Sequence, residues 1–364
     1  MDTKFRIHLL AMPNAPVSKK YSLDGFAQAT LRFSHMMKSM GHTVFLYGAE
    51  NSDASWCDEL IPIISEEERT TLLESFSGRA NTATEYQHAW IDERSPLWQL
   101  SNPRMIREIG LRKQPRDFIC QIGGASQETV SLAHPELMTV EYSIGYEGSF
   151  GAYRVFESNI WRHWTYGYQK ISEGRFFDTV IPVFFDPAEF EFREKKEPFA
   201  LYLGRLTPKK GVEVAIQSAK LAGLPLKIIG HDREKDLVPR GVEFLGALPQ
   251  AERNNYLSRA SVVLCPTLYV EPFCCVSVEA QMCGTPVVST DWGGFTENVE
   301  HGKTGFHCNY LGGFVDGIKK SLELDKAYIR ARAERLYSMH NINHDYQRYF
   351  ERLSTLWGDG WNTI

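Results

Sequence analysis

No run of apolar residues in the 364-residue chain approaches the ~20 that a membrane-spanning helix needs. Cysteine is sparse and odd in number: seven residues without a repeated Cys-x-x-Cys spacing argue for buried or free thiols over disulfides or a zinc cage. Charge of one sign is also lacking. With 40 Lys+Arg against 45 Asp+Glu and a net charge of −5, no global field recruits polyanions. There is no Asn-x-Ser/Thr sequon, and the opening Met-Asp-Thr-Lys-Phe-Arg-Ile-His leads into a strand-like run instead of a signal peptide. A cytoplasmic location is therefore expected. No Gly-x-Gly-x-x-Gly follows the first strand, which argues against a nicotinamide dehydrogenase. Gly302-Lys303-Thr304 mimics the end of a P-loop, but Glu297 stands where that loop needs its first glycine.

What is present is the composition of a soluble globular protein, 43% hydrophobic and 23% charged, in a chain long enough for two domains with a core each. The basic run Arg104, Arg107, Arg112, Lys113, Arg116 and the acidic triplet Glu66-Glu67-Glu68 read first as solvated faces.

Strand, loop, helix and strand alternate from the start. Residues 5–12 read as a buried strand, a loop runs to Asp24-Gly25, an amphipathic helix covers about 26–40, and 42–47 form a second strand. From roughly 50 to 115, where Trp56, Trp90 and Trp98 sit among polar and proline-containing segments, the periodicity supports only helices and loops. Strands resume at 117–122 and 137–142, separated by Gly123-Gly124 and a helix. Residues 142–168 hold nine aromatics in 27 positions, where the chain-wide 12% would give about three. They read as core or as a wall for a ring-shaped ligand. The second half opens with a strand at 199–203, then Gly204-Arg205 and Lys210-Gly211 in a loop before a helix at about 212–222.

The chain is organised around residues 271–288. Pro272 suits a helix start, Gly284 a helix end and Pro286-Val287-Val288 a buried strand. Glu271 falls in the loop. Glu279 is expected about two turns into the helix, where eight residues at roughly 100° return it to the same side. Between them the backbone amides of about residues 273–276, Phe273, Cys274 and Cys275 among them, would form an anion site. Such a site suits a ligand anionic in the middle and rich in hydroxyls at both ends, as a nucleotide-sugar is.

This segment resembles the E-x7-E signature of retaining GT-B glycosyltransferases of the GT4 type, close to E-P-F-G-L-V-x-x-E-A-M-A-C-G-T-P-V, with Cys274 where that family usually has glycine. Gly204-Arg205 and Lys210-Gly211 are similar to its diphosphate-binding pair, Trp292-Gly293-Gly294 through Glu297 to its G-G-x-x-E turn, and His301 to Phe306 to its N-G-K-T-G-F hairpin. The resemblance implies an α/β fold of two Rossmann-like domains in the GT-B arrangement, their parallel sheets facing an interdomain cleft. The expected domains are 1–183 on the acceptor side, 184–340 binding the nucleotide-sugar, and a helix in 341–364 returning to the first. It further implies Arg205 and Lys210 on the diphosphate, Glu271 on the donor sugar, Glu279 on the ribose and Gly25 near the donor phosphates. The family's histidine near the end of the strand at 137–142 is missing; Glu141, Ser143, Glu147 and His163 are the acceptor-side candidates.

No Asp-x-Asp occurs, so a metal-independent reaction is expected, with a UDP- or GDP-sugar as substrate, no resident cofactor, a hydroxyl acceptor on a glycan, lipid or small molecule, and no nucleic-acid partner. Three other functions stay open: a nucleotide-sugar epimerase of the same fold, a non-catalytic sugar-nucleotide-binding protein, and a transferase acting on modified bases in DNA.

Overall fold

A computed structural model describes residues 3–77, 94–231 and 236–357; Trp90 lies outside them. The chain divides into two compact units. One holds the residues up to Phe156, Gln169–Ile181 and those from Ile342; the other holds Glu157–Tyr168 and Pro182–Asn341. The segment Glu157–Tyr168, expected with the first domain, thus groups with the second unit.

In the first unit, strands β1 (Arg6–Leu10), β2 (Thr43–Ala49), β3 (Glu59–Ile64), β4 (Phe118–Gln121), β5 (Met138–Ile144), β6 (Tyr153–Phe156) and β7 (Thr179–Val180) pair in parallel, in the order β3-β2-β1-β4-β5-β6-β7. Its helices are α1 (Gly25–Ser39), α2 (Glu66–Ser77), α3 (Pro96–Arg112) and α4 (Glu128–Leu132). Helix α1 starts where Asp24 Oδ1 accepts the Ala27 amide at 3.0 Å and stops at Gly41, whose φ of +82° an L-residue rarely adopts. The stretch without clear periodicity holds β3, α2 and α3. Pro62 is tolerated in β3 because that strand is at the sheet's edge. The acidic triplet is the first turn of α2, where the helix dipole favours negative charge. Most of the basic run is neutralised locally: Arg104 pairs with Glu68 at 2.7 Å, Arg107 with Glu108 at 2.6 Å, Arg112 with Glu59 at 2.7 Å and with Glu108 at 2.6 Å, and Lys113 with Glu136. Leu10, Phe45, Ile61 and Ile119 pack with Met105 and Ile109 of α3 in one core.

The second unit contains α5 (Asn159–Tyr168), β8 (Glu197–Leu203), α6 (Val212–Ala222), β9 (Leu226–Ile229), β10 (Glu243–Phe244), α7 (Gln250–Arg259), β11 (Ala260–Cys265), α8 (Cys275–Met282), β12 (Val287–Thr290), α9 (Phe295–Asn298), β13 (Gly305–Cys308), α10 (Leu311–Ser321) and α11 (Lys326–Tyr337). Helix α12 (Met339–Ser354) begins in this unit and continues into the first. The sheet is parallel, in the order β10-β9-β8-β11-β12-β13. Its central strands β11 and β12 are buried throughout, as parallel strands covered by helices on both faces are. Leu201, Val263 and Val287 pack with Val278 and Met282 of α8, and Ala200, Val262 and Val288 with Ala215, Phe314 and Ile318. The expected hairpin at 301–306 is instead a tight turn, Gly302 N–H to Gly305 carbonyl at 2.8 Å, leading into β13, which runs parallel to β12.

Strand order reverses direction between β8 and β11. In open parallel sheets the crevice outside the carboxyl ends at such a switch point is where ligands bind. The loops leaving those two strands are residues 204–211 and 266–274.

Candidate active site

Backbone contacts sew these two loops together. Pro208–Lys210 make a single 3-10 turn that ends at Gly211, φ +71°, where a Cβ would lie 1.9 Å from the Pro266 carbonyl oxygen. Only glycine fits there. The Leu268 amide donates to the Lys209 carbonyl at 2.8 Å. A third loop closes over the second: a Cβ on Gly293, φ +66°, would lie 2.6 Å from the Glu271 nitrogen, and the Gly294 amide donates to the Glu271 carbonyl at 2.7 Å. The glycines of the 292–297 motif therefore let that turn press on the backbone of Glu271.

So held, Lys210 and Glu271 meet. Lys210 Nζ lies 2.6 Å from Glu271 Oε2, with the side chains 19% and 9% exposed, and the ammonium sits 5.0 Å from the centroid of the Tyr269 ring. Burial alone would pull the lysine's pKa down, but the Glu271 carboxylate, with Cys274 and Tyr269 beside it, holds it above its ordinary value. Arg205 is exposed, and its carbonyl accepts from Tyr202 Oη at 2.7 Å, which fixes the turn behind it.

Helix α8 begins at Cys275, later than expected. Glu279 is thus its fifth residue, one turn in instead of two, and the eight residues from Glu271 do not form a continuous helical spiral. Glu279 is half-buried. Asn298 pins the helix start, its Nδ2 donating to the Phe273 carbonyl and its Oδ1 accepting from Ser277 Oγ at 2.9 Å. Phe273 is 3% exposed with its ring against Tyr337 at 5.7 Å, so its side chain belongs to the core and only its backbone is open to a ligand role. The N-terminus of α8 carries the positive end of the helix dipole. Cys274 caps this helix with φ +70° and ψ +82°, a conformation that favours glycine. Contact with the Cys265 thiol, and burial, push its own thiol pKa well up.

Of the remaining expected residues, all but His163 belong to the first unit. Gly25 is the first residue of α1, with ordinary φ and nothing within 4 Å of an added Cβ, so no packing or backbone demand of the chain requires glycine there. Glu141 is fully buried in β5, and Ser143 adopts φ +50° near its end. Glu147 is exposed. His163 is exposed on α5, in the second unit. Of the nine clustered aromatics, Tyr142, Tyr146, Tyr153, Phe156 and Trp161 are buried, so the cluster is mainly core. Sequence reasoning gave Glu297 only a motif position: its carboxylate accepts from the Asn159 amide at 3.0 Å and the Ile160 amide at 2.8 Å, while Ser158 Oγ donates to the Pro272 carbonyl at 2.5 Å. Among the described residues no cluster of three or more His, Cys, Asp or Glu is arranged to hold a metal, and no helix is long and apolar enough to cross a membrane.

Residues 186–334 match the family described as glycosyl transferases group 1. The glycogen synthase of Mycobacterium tuberculosis is 32% identical over 175 residues, 43% of this chain and 42% of that one. The phosphatidyl-myo-inositol mannosyltransferase of Propionibacterium freudenreichii is 33% identical over 116 residues, 30% of each chain. The match thus spans less than half the length of these relatives. Among solved structures, AviGT4, a glycosyltransferase involved in avilamycin A biosynthesis, superposes with a TM-score of 0.69 at 21% identity, over 96% of this chain and 98% of that one. Anabaena HepE, in complex with UDP and glucose, gives 0.63 at 17% identity, over 97% and 100%. At these identities the likeness is one of fold, the α/β GT-B fold with two parallel sheets.

Proposed function

We propose, from the match of residues 186–334 to the glycosyl transferases group 1 family, that this chain moves a hexose-like sugar from a nucleoside diphosphate sugar to a hydroxyl acceptor with retention of configuration and without a metal ion. The observation that carries this reading is the convergence of Lys210, Glu271 and the α8 N-terminus at the switch point of the second sheet. A diphosphate there would find a fixed cation and helix amides. As the glycosidic bond breaks, negative charge grows on the leaving phosphate, and preorganised positive groups stabilise what develops in the transition state.

The roles follow from that chemistry. Lys210 and Arg205 neutralise the diphosphate, the amides of Cys274 and Cys275 receive phosphate oxygens, Glu271 binds donor-sugar hydroxyls and Glu279 the ribose diol. No enzyme nucleophile is needed. The acceptor oxygen attacks the anomeric carbon on the face the diphosphate leaves, the carbon–phosphate oxygen bond breaks, and the acceptor's proton passes to the departing phosphate. The nucleoside is uridine or guanosine; the structural neighbour HepE was solved with UDP and glucose. The acceptor side is the first unit, with Ser143 near the end of β5 and Glu147 after it. The local pairing of the basic residues on α3 with acids disfavours the DNA-base reading, since phosphate binding needs unpaired cations.

The test is mass spectrometry after incubation with UDP- and GDP-sugars in the presence of chelator. Slow hydrolysis of one donor, releasing free sugar and nucleotide, supports a transferase. Conversion into an isomeric nucleotide-sugar would point to an epimerase, and inertness with tight binding to a non-catalytic binder.

A further inference from the structure

The fully buried carboxylate of Glu141 lies outside the donor site and is engaged by the backbone of its own unit. Its Oε2 accepts the amides of Phe150 at 3.0 Å and Gly151 at 2.8 Å. Those residues close the turn that follows β5, and a Cβ at position 151 would stand 3.1 Å from the same oxygen, a tight contact by which a side chain there would press on Glu141. The turn is gripped from its other side by carbonyl contacts: Arg175 donates to the Gly151 carbonyl at 3.1 Å and Gln169 Nε2 to the Ser149 carbonyl at 2.5 Å. It also touches the glycine turn after β4, where the Ala125 amide donates to the Gly148 carbonyl at 2.9 Å. Glu141 thereby organises the carboxyl edge of the first sheet, the edge at which parallel sheets place their ligands.

We propose that Glu141 is the positioning residue of this edge, a proton-dependent latch that holds the 147–151 turn through the amides of Phe150 and Gly151. That the turn serves an acceptor rests on the transferase reading; the latch itself does not. The ionised carboxylate accepts both amides more strongly than the neutral acid does. Burial pushes the acid up to about 7, and the two amides, Arg154 and the Gln121 side chain only partly offset it. The charged groups around it are few. Arg154, opposite in register on β6, is held by Asp178 at 2.5 Å, and Arg175 reaches the turn's carbonyl; Gln121, opposite on β4, is uncharged and accepts from Ser131 Oγ of α4.

The experiment follows the Glu141 carboxyl carbon and the Phe150 and Gly151 amide signals by NMR of the full chain from about pH 5 to pH 9, in wild type and Glu141→Gln. The expected result is one shared midpoint near neutrality for all three wild-type signals, faster amide exchange of Phe150 and Gly151 on the acid side after correction for intrinsic rates, and no such titration of the amides in the variant. A carboxyl midpoint in the ordinary glutamate range, or amides that titrate unchanged in Glu141→Gln, would overturn the proposal. Nucleoside diphosphate titration of both proteins is the control: affinity unchanged by the substitution is expected, and absence of binding in wild type would remove the transferase reading while leaving the latch to stand or fall on the NMR result.

Discussion

Lys210 and Glu271, 61 residues apart in the chain, form an ion pair at 2.6 Å where the β8 and β11 loops meet. The ammonium and the carboxylate neutralise each other. Removing either one leaves the other buried and unpaired, which typically costs about 3–5 kcal/mol in a buried pair and less in a partly exposed one. Lys210→Met and Glu271→Gln are each expected to lower stability in urea unfolding by about 2–3 kcal/mol, and the double variant by at least about 1 kcal/mol less than their sum. Strict additivity would mean that the pair is not formed in solution.

Cys274 carries a left-handed backbone at the start of α8. Such a conformation costs an L-residue roughly 1–2 kcal/mol. Cys274→Gly is expected to raise stability by about 1 kcal/mol after loss of the thiol's packing, with nucleotide affinity retained or improved. A destabilised variant would show that the thiol's contact with Cys265 outweighs the strain.

Gly293 has no room for a side chain, because its Cβ would fall 2.6 Å from the Glu271 nitrogen. Gly293→Ala is expected to push Glu271 out of place and weaken nucleotide-sugar binding at least about tenfold, or about 1.4 kcal/mol. Unchanged binding would mean that the position of Glu271 does not matter for the donor.

His42 is buried, and its Nδ1 accepts the Phe5 amide at 3.2 Å. Burial, helped by Lys4, lowers its pKa from 6.5 to about 4. Between those values the unfolded chain binds more protons, so stability rises with pH through the window and this contribution is lost as pH falls through about 4. Denaturation midpoints measured across the window should rise in wild type and show a smaller rise in His42→Asn. Equal slopes in the two proteins would count against a neutral buried imidazole.

Much of the second unit was legible because its strands are continuous apolar runs bounded by glycine and proline, and because Arg205, Lys210, Glu271 and Glu279 sit in short motifs. The first unit was legible at β1, α1, β2, β4 and β5 for the same reason. The stretch from 50 to 115 was not: β3 is an edge strand interrupted by Pro62, and α3 carries Pro103 in its interior, so neither shows an unbroken period. The start of α8 was misplaced by the assumption that Pro272 opens the helix, whereas the backbone first turns left-handed at Cys274. The Lys210–Glu271 pairing and the capping of α5 by Glu297 join residues 61 and 138 apart, and no local pattern announces such contacts.

The central claim is that the switch point of the second sheet binds a nucleoside diphosphate through Lys210 and the α8 amides. Calorimetric titration of wild type and Lys210→Ala with UDP, GDP, ADP and dTDP, in chelator, tests it most directly. The account predicts preference for one nucleotide in wild type and a loss of at least about a hundredfold, near 2.7 kcal/mol, in the variant. Equal affinity of the two proteins for that nucleotide, or no binding of any of the four by wild type, would contradict it.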